Sequence, residues 1–388
     1  MRIHEFNPRL GKTEMIKVLE TLQDNWITEG EKTRQLETML AEYVGCARVV
    51  MVPNGTLALF AALKVLGIGP GDEVIVPDFT FFGSASAVVL TGARPVFADV
   101  DEYDGNLAVD AAEASLSEHT RAIMPVHIYG QSCDMQSIMA LAEKYKLYVV
   151  EDAAQGLGVT FGDKHVGTFG HIGCMSFFAD KAITTGEGGA LLVNDDELAD
   201  RCVYFKNQGR LKRGSFVHPH MGYNFRITDL QAAIGVAQLA RIDDIIRRKR
   251  LLRDAYYQRL DGCPGLRLPD DNGFGEVVPF RVNILVDDPQ GLSEFLDRHA
   301  IATRRYFYPL HLQPSLTPEN SVVRQKPINS IRLFESGLML PSGLDLTETQ
   351  LNKVCTCIEE YQYAREASAS AGLLPQQKST FTADASLP

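Results

Sequence analysis

Short apolar segments alternate with helical patterns through the first half of the chain, and this alternation constrains the fold more than any other feature. Strands are predicted at 48–52, 73–76, 95–99, 122–127 and 147–151, and helices at 57–66, 82–90, 110–116 and 135–145. A further strand in GGALLVND and a helix over 196–205 follow. Such βα repeats favour an α/β fold, with a mainly parallel sheet and helices on both of its faces.

The length of the chain predicts more than one domain, because 388 residues exceed the usual size of a single hydrophobic core. We expect a large domain over residues 1–240, including an N-terminal arm, and a smaller C-terminal domain over 241–365. A long helix that starts at Asp229 would connect them. The smaller domain has predicted strands at 280–286 and 302–307 and helices at 290–299, 330–338 and 348–364. Weak hydrophobic patterning predicts a disordered tail over 366–388.

The composition argues against several classes of protein. A formal net charge of −11 makes a nucleic-acid partner unexpected, and no apolar stretch reaches transmembrane length. The basic run at 247–250 lies in a helical pattern and is interpreted as a solvated face. The N-terminus lacks the apolar core of a signal peptide, and seven cysteines without a framework spacing predict a cytoplasmic location. Cys355 and Cys357 are interpreted as core or surface thiols, so no metal site is expected.

Two ionisable residues between 148 and 194 carry the predicted chemistry. Asp152 follows a valine-rich run, so it would lie at the carboxyl end of a buried strand, where open α/β sheets bind ligands. Such a carboxylate can keep a pyridine ring protonated. Lys181 stands among apolar neighbours that disfavour its ammonium form, and a lysine amine can form an imine with an aldehyde. Together they predict a site for pyridoxal phosphate (PLP), held as a Schiff base on Lys181.

Each of these residues also has an ordinary interpretation. An aspartate at a strand end is often the N-cap of a helix, here for a segment from Ala153. A single lysine between strands is usually a solvated loop residue.

A candidate phosphate site lies in the strand–turn–helix at 48–66. Gly55 allows the backbone to approach a ligand closely, and Thr56 adds a hydroxyl beside the free N–H groups of a helix N-terminus. The same NGT sequence is also an ordinary turn and N-cap. After the next strand come three aromatic residues, of which one could stack on a flat cofactor ring while the others are expected in the core: Phe79, Phe81 and Phe82.

Six stretches together resemble the DegT-type sugar-nucleotide aminotransferases, which are PLP enzymes of the aspartate aminotransferase fold. These are NGTLAL, GDEVIVPDFTF, EDAAQGLG, SFFADKAITTGEGG, GYNFRITDLQAAIGVAQL and YPLHLQP, and the resemblance spans residues 25–363. It implies a large domain with a mainly parallel sheet of the seven-stranded type, flanked by helices, and a smaller α+β domain.

The resemblance also implies cofactor contacts. Lys181 matches the Schiff-base lysine, and Asp152 matches the partner of the ring nitrogen. Gln155 matches the residue near the ring hydroxyl, and Phe81 matches the aromatic that stacks on the ring. The phosphate ligands are matched by Gly55, Thr56 and Ser176. Asn224 matches an asparagine that reaches the phosphate in the neighbouring subunit, which implies a homodimer with shared active sites and leaves a tetramer open.

Three residues match positions near the substrate: Arg226, Tyr308 and His311. Tyr308 departs from close relatives, which tend to have histidine there, and His171 stands where many relatives have an acidic residue. The implied reaction moves the amino group of L-glutamate to C4 of a nucleotide-linked 4-keto-6-deoxy sugar, with GDP-4-dehydro-6-deoxy-D-mannose favoured. Its product would feed surface-polysaccharide assembly, such as the O-antigen of lipopolysaccharide.

Other functions stay open at this point. The acceptor could be a dTDP- or UDP-linked ketosugar, or the amino group could go to C3. A PLP-dependent dehydratase of the same fold usually has histidine at the lysine position, so Lys181 argues against it. A non-catalytic sensor is disfavoured by the intact set of Asp152, Lys181, Gly55 and Thr56. No GxGxxG follows an early strand, which argues against nicotinamide binding.

Overall fold

The computed structural model describes residues 2–211 and 214–371. Its β structure comprises a large sheet, a four-stranded sheet and a two-stranded hairpin. The strands are, in chain order, β1 (Arg48–Val52), β2 (Glu73–Pro77), β3 (Arg94–Ala98), β4 (Thr120–Ile123), β5 (Tyr148–Asp152), β6 (Thr160–Phe161), β7 (Lys164–His165), β8 (Ile172–Ser176), β9 (Gly189–Val193), β10 (Leu266–Arg267), β11 (Val282–Val286), β12 (Arg304–Arg305), β13 (Val322–Val323) and β14 (Gly337–Leu340).

Helices flank the large sheet and the four-stranded sheet. They are α1 (Lys12–Gln23), α2 (Glu31–Val44), α3 (Gly55–Val65), α4 (Phe82–Thr91), α5 (Val109–Ala114), α6 (Met135–Tyr145), α7 (Asp196–Lys206), α8 (Asp229–Leu239), α9 (Ile242–Leu260), α10 (Pro289–Arg298), α11 (Ile328–Ser336) and α12 (Glu348–Ser370). Short 3-10 helices occupy Ile128–Gly130 and Leu310–Leu312. Within the described ranges, none of these helices combines the length and the apolar character needed to cross a lipid bilayer.

The large sheet has eight strands in the order β1-β9-β8-β5-β4-β2-β3-β13. Strand β9 runs antiparallel to both of its neighbours, and the other neighbouring pairs are parallel. The predicted α/β fold with a mainly parallel sheet is therefore confirmed. The two-residue strand β13 was not predicted, and it adds an eighth strand to the expected seven.

Alternate residues of the strands enter cores on opposite faces of this sheet, as the pleat requires. In β1, Val50 and Val52 pack with α3 on one face, whereas Val49 and Met51 pack with α2 on the other. A separate hydrophobic cluster lies between the four-stranded sheet, in the order β10-β11-β14-β12, and helices α9, α10 and α12.

The C-terminal part differs from the predicted elements in three places. The long helix expected from Asp229 is two helices, because the backbone leaves the helical region at Arg241. The guanidinium of Arg241 donates a hydrogen bond to the Arg9 carbonyl oxygen at 2.6 Å, so the bend is fixed by contact with the N-terminal segment. The helix expected at 330–338 ends at Ser336, because Gly337–Leu340 pairs with β11 and β12 instead. The strand expected at 302–307 is reduced to Arg304–Arg305.

The predicted tail falls partly on described residues. Helix α12 continues to Ser370, so the first residues of the expected tail are helical. Residues 372–388 lie outside the described residues. The division of the chain into two domains near residue 240 stays a prediction. Cys355 and Cys357 are both buried in the cluster that contains α12.

Asp229 joins the start of α8 to the start of α2. Its carboxylate accepts hydrogen bonds from the backbone N–H groups of Gly30 and Thr33, at 2.8 and 3.0 Å, and from the Thr33 hydroxyl at 2.6 Å. Gly30 is the N-cap of α2 and Thr33 lies in its first turn, where backbone N–H groups have no partner inside the helix. A carboxylate at this position also interacts favourably with the helix dipole.

Candidate active site

Asp152 is the last residue of β5, and its carboxylate is buried at the carboxyl edge of the sheet. The Ser84 hydroxyl donates to Oδ2 at 2.7 Å, and the Ala154 N–H donates to Oδ1 at 3.1 Å. Burial raises the pKa of Asp152, while these hydrogen bonds and the charge of Lys181 act in the opposite direction. No α-helix begins at Ala153 in this described part of the chain, so the N-cap interpretation is wrong.

Lys181 lies in the turn after β8, and its side chain is only 16% exposed. Its Nζ lies 4.5 Å from the centroid of the Phe280 ring and 3.6 Å from Asp180 Oδ1. Burial lowers the pKa of Lys181, and the carboxylates of Asp180 and Asp152 oppose that effect. The interpretation of Lys181 as a solvated loop residue is therefore wrong. A buried amine of this kind reaches its neutral, nucleophilic form more readily than an exposed one.

The start of α3 forms a cradle suited to a phosphate. The helix begins at Gly55, two residues earlier than predicted, and Asn54 caps it by accepting a hydrogen bond from the Leu57 N–H at 2.9 Å. A Cβ added to Gly55 would lie 2.9 Å from the Ser176 Cβ, so the helix N-terminus and the end of β8 are in close contact. The Ser176 Oγ would lie 3.3 Å from that added Cβ, and Thr56 is the second residue of the helix. The free N–H groups and positive dipole end of this first turn suit an anion such as the PLP phosphate.

Gln155 lines the same cavity as Ser176 and Lys181. Its Oε1 accepts a hydrogen bond from the Tyr129 N–H at 2.7 Å, which fixes the direction of the amide group. Sequence analysis missed Tyr129. The sequence feature that could have pointed to Tyr129 is the neighbouring Gly130, because Gly130 has a φ of +84°, which only glycine adopts easily.

The three aromatic residues after β2 have different surroundings. Phe79 is buried in the core, as expected, whereas Phe82 is 36% exposed and does not belong there. Phe81 precedes α4 and is 61% exposed, with its ring centroid 6.2 Å from that of Phe307. Phe81 therefore presents the ring surface that a flat cofactor would require.

Asn224 and Arg226 lie together on the surface, where the Arg226 Nε donates to Asn224 Oδ1 at 2.9 Å. As far as the described residues go, neither lines the cavities that contain Lys181. The structure of one chain therefore does not bring them to the predicted cofactor site.

His311 and Tyr308 belong to the segment that follows β12. The His311 N–H donates to Asp78 Oδ1 at 2.8 Å, and His311 Nδ1 lies 2.8 Å from Asp78 Oδ2. Burial raises the pKa of Asp78, and the hydrogen bonds from His311 oppose this. The Tyr308 ring packs edge-on against Phe334 at a centroid distance of 5.1 Å. Asp78 directly follows β2, so His311 is held at the carboxyl edge of the sheet.

Lys249 is a second buried lysine at this site, and the sequence interpretation of 247–250 as a solvated face is wrong for it. It is 6% exposed and lines both cavities beside Lys181. Its Nζ donates to the carbonyl oxygens of Pro279 and Phe280, each at 3.2 Å. Burial lowers the pKa of Lys249 to about 7. The sequence feature that could have predicted this burial is helical spacing. Lys249 lies four residues after Ile245 and seven before Tyr256, which are both buried on α9, so all three share one face of the helix.

Comparison with known proteins identifies the family. The profile of the DegT/DnrJ/EryC1/StrS aminotransferase family matches residues 8–359. The GDP-perosamine synthase of Vibrio cholerae is 36% identical over 362 residues, covering 92% of this chain and 98% of the relative. The GDP-perosamine synthase of Escherichia coli O157:H7 is 38% identical, covering 92% and 97%.

Solved structures agree with this. DesV of S. venezuelae, in complex with a ketimine intermediate, superimposes with a TM-score of 0.85 at 31% identity, covering 90% of this chain and 94% of DesV. The aminotransferase TlmJ from Streptoalloteichus hindustanus gives 0.90 at 30% identity, covering 94% and 100%. The predicted resemblance, fold and PLP cofactor are thereby confirmed. The chain belongs to the DegT/DnrJ/EryC1/StrS aminotransferase family and is a PLP-dependent sugar aminotransferase.

Proposed function

We propose that the enzyme transfers the amino group of L-glutamate to C4 of GDP-4-dehydro-6-deoxy-D-mannose and releases GDP-perosamine. The observation that carries the proposal is the identity of 36–38% to two enzymes named GDP-perosamine synthase, over nearly the whole length of each. A dTDP- or UDP-linked ketosugar, or transfer at C3, is the second candidate. It is favoured by Tyr308, which replaces the histidine expected near the sugar nucleotide.

Different residues at the site would hold different parts of the cofactor. When bound, PLP supplies an electron sink for the carbon that loses a proton. Lys181 would hold it covalently, and Asp152 would keep the proton on the ring nitrogen. Gln155 would lie near the ring hydroxyl, and Phe81 would stack on the ring. The phosphate would be held by Gly55, Thr56 and Ser176.

Lys181 also moves the protons of the reaction. Once its amine is free, Nζ takes the Cα proton of L-glutamate in the first half of the reaction. In the second half, which runs in the reverse direction, it delivers a proton to C4 of the sugar. The side chain is 16% exposed, so little water competes for these protons. Its lowered pKa leaves the amine able to accept the proton.

We infer that two copies of the chain share their active sites. The support is that Asn224 is exposed and lies outside the cavity of its own chain, within the described residues. The loop before it exposes apolar side chains, with Phe216 91% and Met221 82% exposed. Such a surface is typical of an interface between subunits. In a dimer, Asn224 would reach the phosphate bound by its partner, while Arg226, Tyr308 and His311 would lie toward the sugar nucleotide.

The product and the cysteines suggest where the enzyme works. All seven cysteines are free thiols, which supports a reducing, cytoplasmic compartment. A GDP-linked amino sugar would serve the assembly of surface polysaccharide, such as O-antigen.

An absorbance spectrum tests the cofactor and the donor. The purified protein should show a visible band from PLP bound to a lysine, and L-glutamate should bleach it. Lys181→Ala should lose both the band and turnover, whereas Lys164→Ala, at an exposed position, should keep them. A colourless protein that stays colourless after PLP is added would contradict the role of Lys181.

A panel of acceptors tests the substrate. The bleached enzyme is mixed with GDP-, dTDP- and UDP-linked 4-keto-6-deoxy sugars, and return of the visible band is followed. GDP-4-dehydro-6-deoxy-D-mannose should give the highest kcat/KM, with a 4-amino product by mass spectrometry and NMR. A higher value for a dTDP- or UDP-linked sugar, or amination at C3, would replace the proposal by the second candidate.

A further inference from the structure

A second buried carboxylate stands beside the reactive lysine. Asp180 directly precedes Lys181 and is 8% exposed. Its Oδ2 accepts a hydrogen bond from Arg281 at 2.9 Å, and the guanidinium of Arg281 is also buried. Its Oδ1 is buried without a hydrogen-bond partner among the described residues, and Lys181 Nζ lies 3.6 Å from it. One oxygen of Asp180 is thus fixed by Arg281, and the other is left to the lysine.

The segment that carries Arg281 is itself held firmly. Lys249 binds the carbonyl oxygens of Pro279 and Phe280, and the Phe280 N–H donates to the Tyr129 carbonyl oxygen at 3.1 Å. Phe280 therefore stays over the Lys181 amine while Arg281 stays on Asp180. This arrangement fixes the distance between the Asp180 carboxylate and Lys181.

Several segments that pack around Asp180 and Lys181 bring further charged groups close to them. They are Lys249 on α9, Arg281 before β11, Arg304 on β12, Glu5 in the N-terminal segment and Asp152 at the end of β5. Arg9, Arg241 and Asp244 line the adjoining cavity. Burial is the main cause that lowers the pKa of Lys181, and the charge of Arg281 acts in the same direction. Asp180 is the foremost charge that opposes them, ahead of Asp152.

We propose that Asp180 is a positioning residue that makes Lys181 a stronger base, and that Arg281 holds the carboxylate in place and limits the effect. The proton moves from the substrate carbon to Lys181 Nζ, and Asp180 stabilises the ammonium without taking the proton. This inference rests on the proposed role of Lys181. It assigns opposite effects to two residues that contact each other: Asp180 favours the protonated amine and Arg281 disfavours it.

Competitive acetylation of the apoprotein measures this basicity. Acetic anhydride is applied across a pH series, and labelling of the Lys181 peptide is followed by mass spectrometry. Asp180→Asn should lower the pH midpoint of Lys181 labelling by about one unit or more, as expected for loss of an opposite charge at this distance. Arg281→Gln should raise the midpoint. Asp180→Glu should restore part of the lost shift.

The matched control is Asp244→Asn. Asp244 lines the adjoining cavity, but it pairs with Arg248 on its own helix, so the Lys181 midpoint should not change. An unchanged midpoint in Asp180→Asn would overturn the inference. So would shifts of the same sign in Asp180→Asn and Arg281→Gln, because a merely structural pair would loosen the site in the same way from either side.

Two further comparisons keep the result interpretable. If Asp180→Asn does not fold because Arg281 is left unpaired, the double variant with Arg281→Gln is compared with Arg281→Gln alone, and its midpoint should be the lower one. The acetylation uses neither sugar nucleotide nor cofactor, so a wrong acceptor would leave its result unchanged. Borohydride reduction and peptide mapping of the holoenzyme test separately whether Lys181 holds PLP.

Discussion

The Ser84 hydroxyl donates a hydrogen bond of 2.7 Å to the Asp152 carboxylate and so ties helix α4 to the end of strand β5. Burial raises the pKa of Asp152, and this hydrogen bond is the foremost contact that lowers it. The proposed reaction needs the carboxylate in its ionised form, which is present above its pKa and lost as the pH falls through it. Ser84 therefore extends the range in which Asp152 can act.

Ser84→Ala should shift the acid limb of the kcat profile to higher pH. A hydrogen bond to a charged group contributes about 1.5–3 kcal/mol, which corresponds to about one to two pH units. The measurement is kcat against pH at saturating substrates. Ser86→Ala is the control, because Ser86 lies on the same helix and donates only to the Gly83 carbonyl oxygen. An acid limb at the wild-type position would show that Ser84 has no influence on Asp152.

Asp152→Asn should reduce kcat by about 10²–10³-fold, the range found when one preorganised electrostatic partner is removed. The amide has a similar size but carries no charge to hold the ring proton. Turnover with L-glutamate and the PLP content should be measured together, so that loss of chemistry is separated from loss of cofactor. Asp195→Asn is a suitable control, since Asp195 caps α7 at the surface and asparagine is an equally good cap. Near-normal turnover in Asp152→Asn would remove the proposed role.

Gly55→Ala should weaken PLP binding about tenfold without unfolding the protein. The new Cβ would lie 2.9 Å from the Ser176 Cβ and would force the two sides of the cradle apart. Alanine in place of glycine otherwise favours a helix, so the melting temperature of the apoprotein should not fall through helix propensity. Equilibrium titration with PLP gives the Kd. Gly69→Ala is the control, because its Cβ would meet its nearest atom at 3.7 Å.

Subunit mixing should reveal whether sites are shared. Asn224→Ala is expected to retain less PLP on dialysis, because the phosphate loses a contact from the neighbouring chain. A mixture of Asn224→Ala with Lys181→Ala should regain about one quarter of wild-type activity after random reassortment of a symmetric dimer, since one site in each mixed dimer is intact. The assay is run at limiting PLP. A fully active monomer, or no gain on mixing, would count against shared sites.

His311→Ala should lower the free energy of unfolding by about 1–3 kcal/mol, because it leaves the buried Asp78 carboxylate without its imidazole partner. Burial raises the folded-state pKa of Asp78 above its usual 3.8, so the folded state binds more protons. His311→Ala removes contacts that lower this pKa, so it should raise the pKa of Asp78 further. The destabilisation should therefore grow as the pH rises through the wild-type folded-state pKa of Asp78. Chemical denaturation at several pH values measures this, with the exposed His119→Ala as control. A loss of stability independent of pH would contradict the role of the carboxylate.

Local sequence patterns predicted the mainly parallel sheet and singled out Asp152, Lys181 and Gly55 as candidate cofactor residues, whereas Gln155 and Ser176 were assigned only through the family resemblance. Asp152 could be placed because a valine-rich strand ends at it, and Gly55 because a strand, a turn and a helix meet there. Lys181 could be placed because it stands alone between apolar neighbours and a glycine-rich turn. These signals are contained in a few consecutive residues.

Other features depend on contacts between distant segments, and local patterns did not predict them. Lys249 is buried because residues 279 and 280 supply carbonyl oxygens to its amine, and Asp180 meets Arg281 across about one hundred residues of sequence. Strand β13 has only two residues, and it is recognised as a strand because they pair with β3, which lies far away in the sequence. The bend at Arg241 depends on Arg9, which lies 232 positions away.

The contact of Asp229 with the start of α2 has a consequence for the order in which the chain matures on the ribosome. Helix α2 receives its capping carboxylate from a residue synthesised 199 positions after Gly30. Among the described residues, strand β1 likewise pairs in the large sheet only with β9, at Gly189–Val193. The nascent N-terminal region thus emerges with an uncapped helix and an unpaired strand edge, and both are completed only when residues 189–229 have followed.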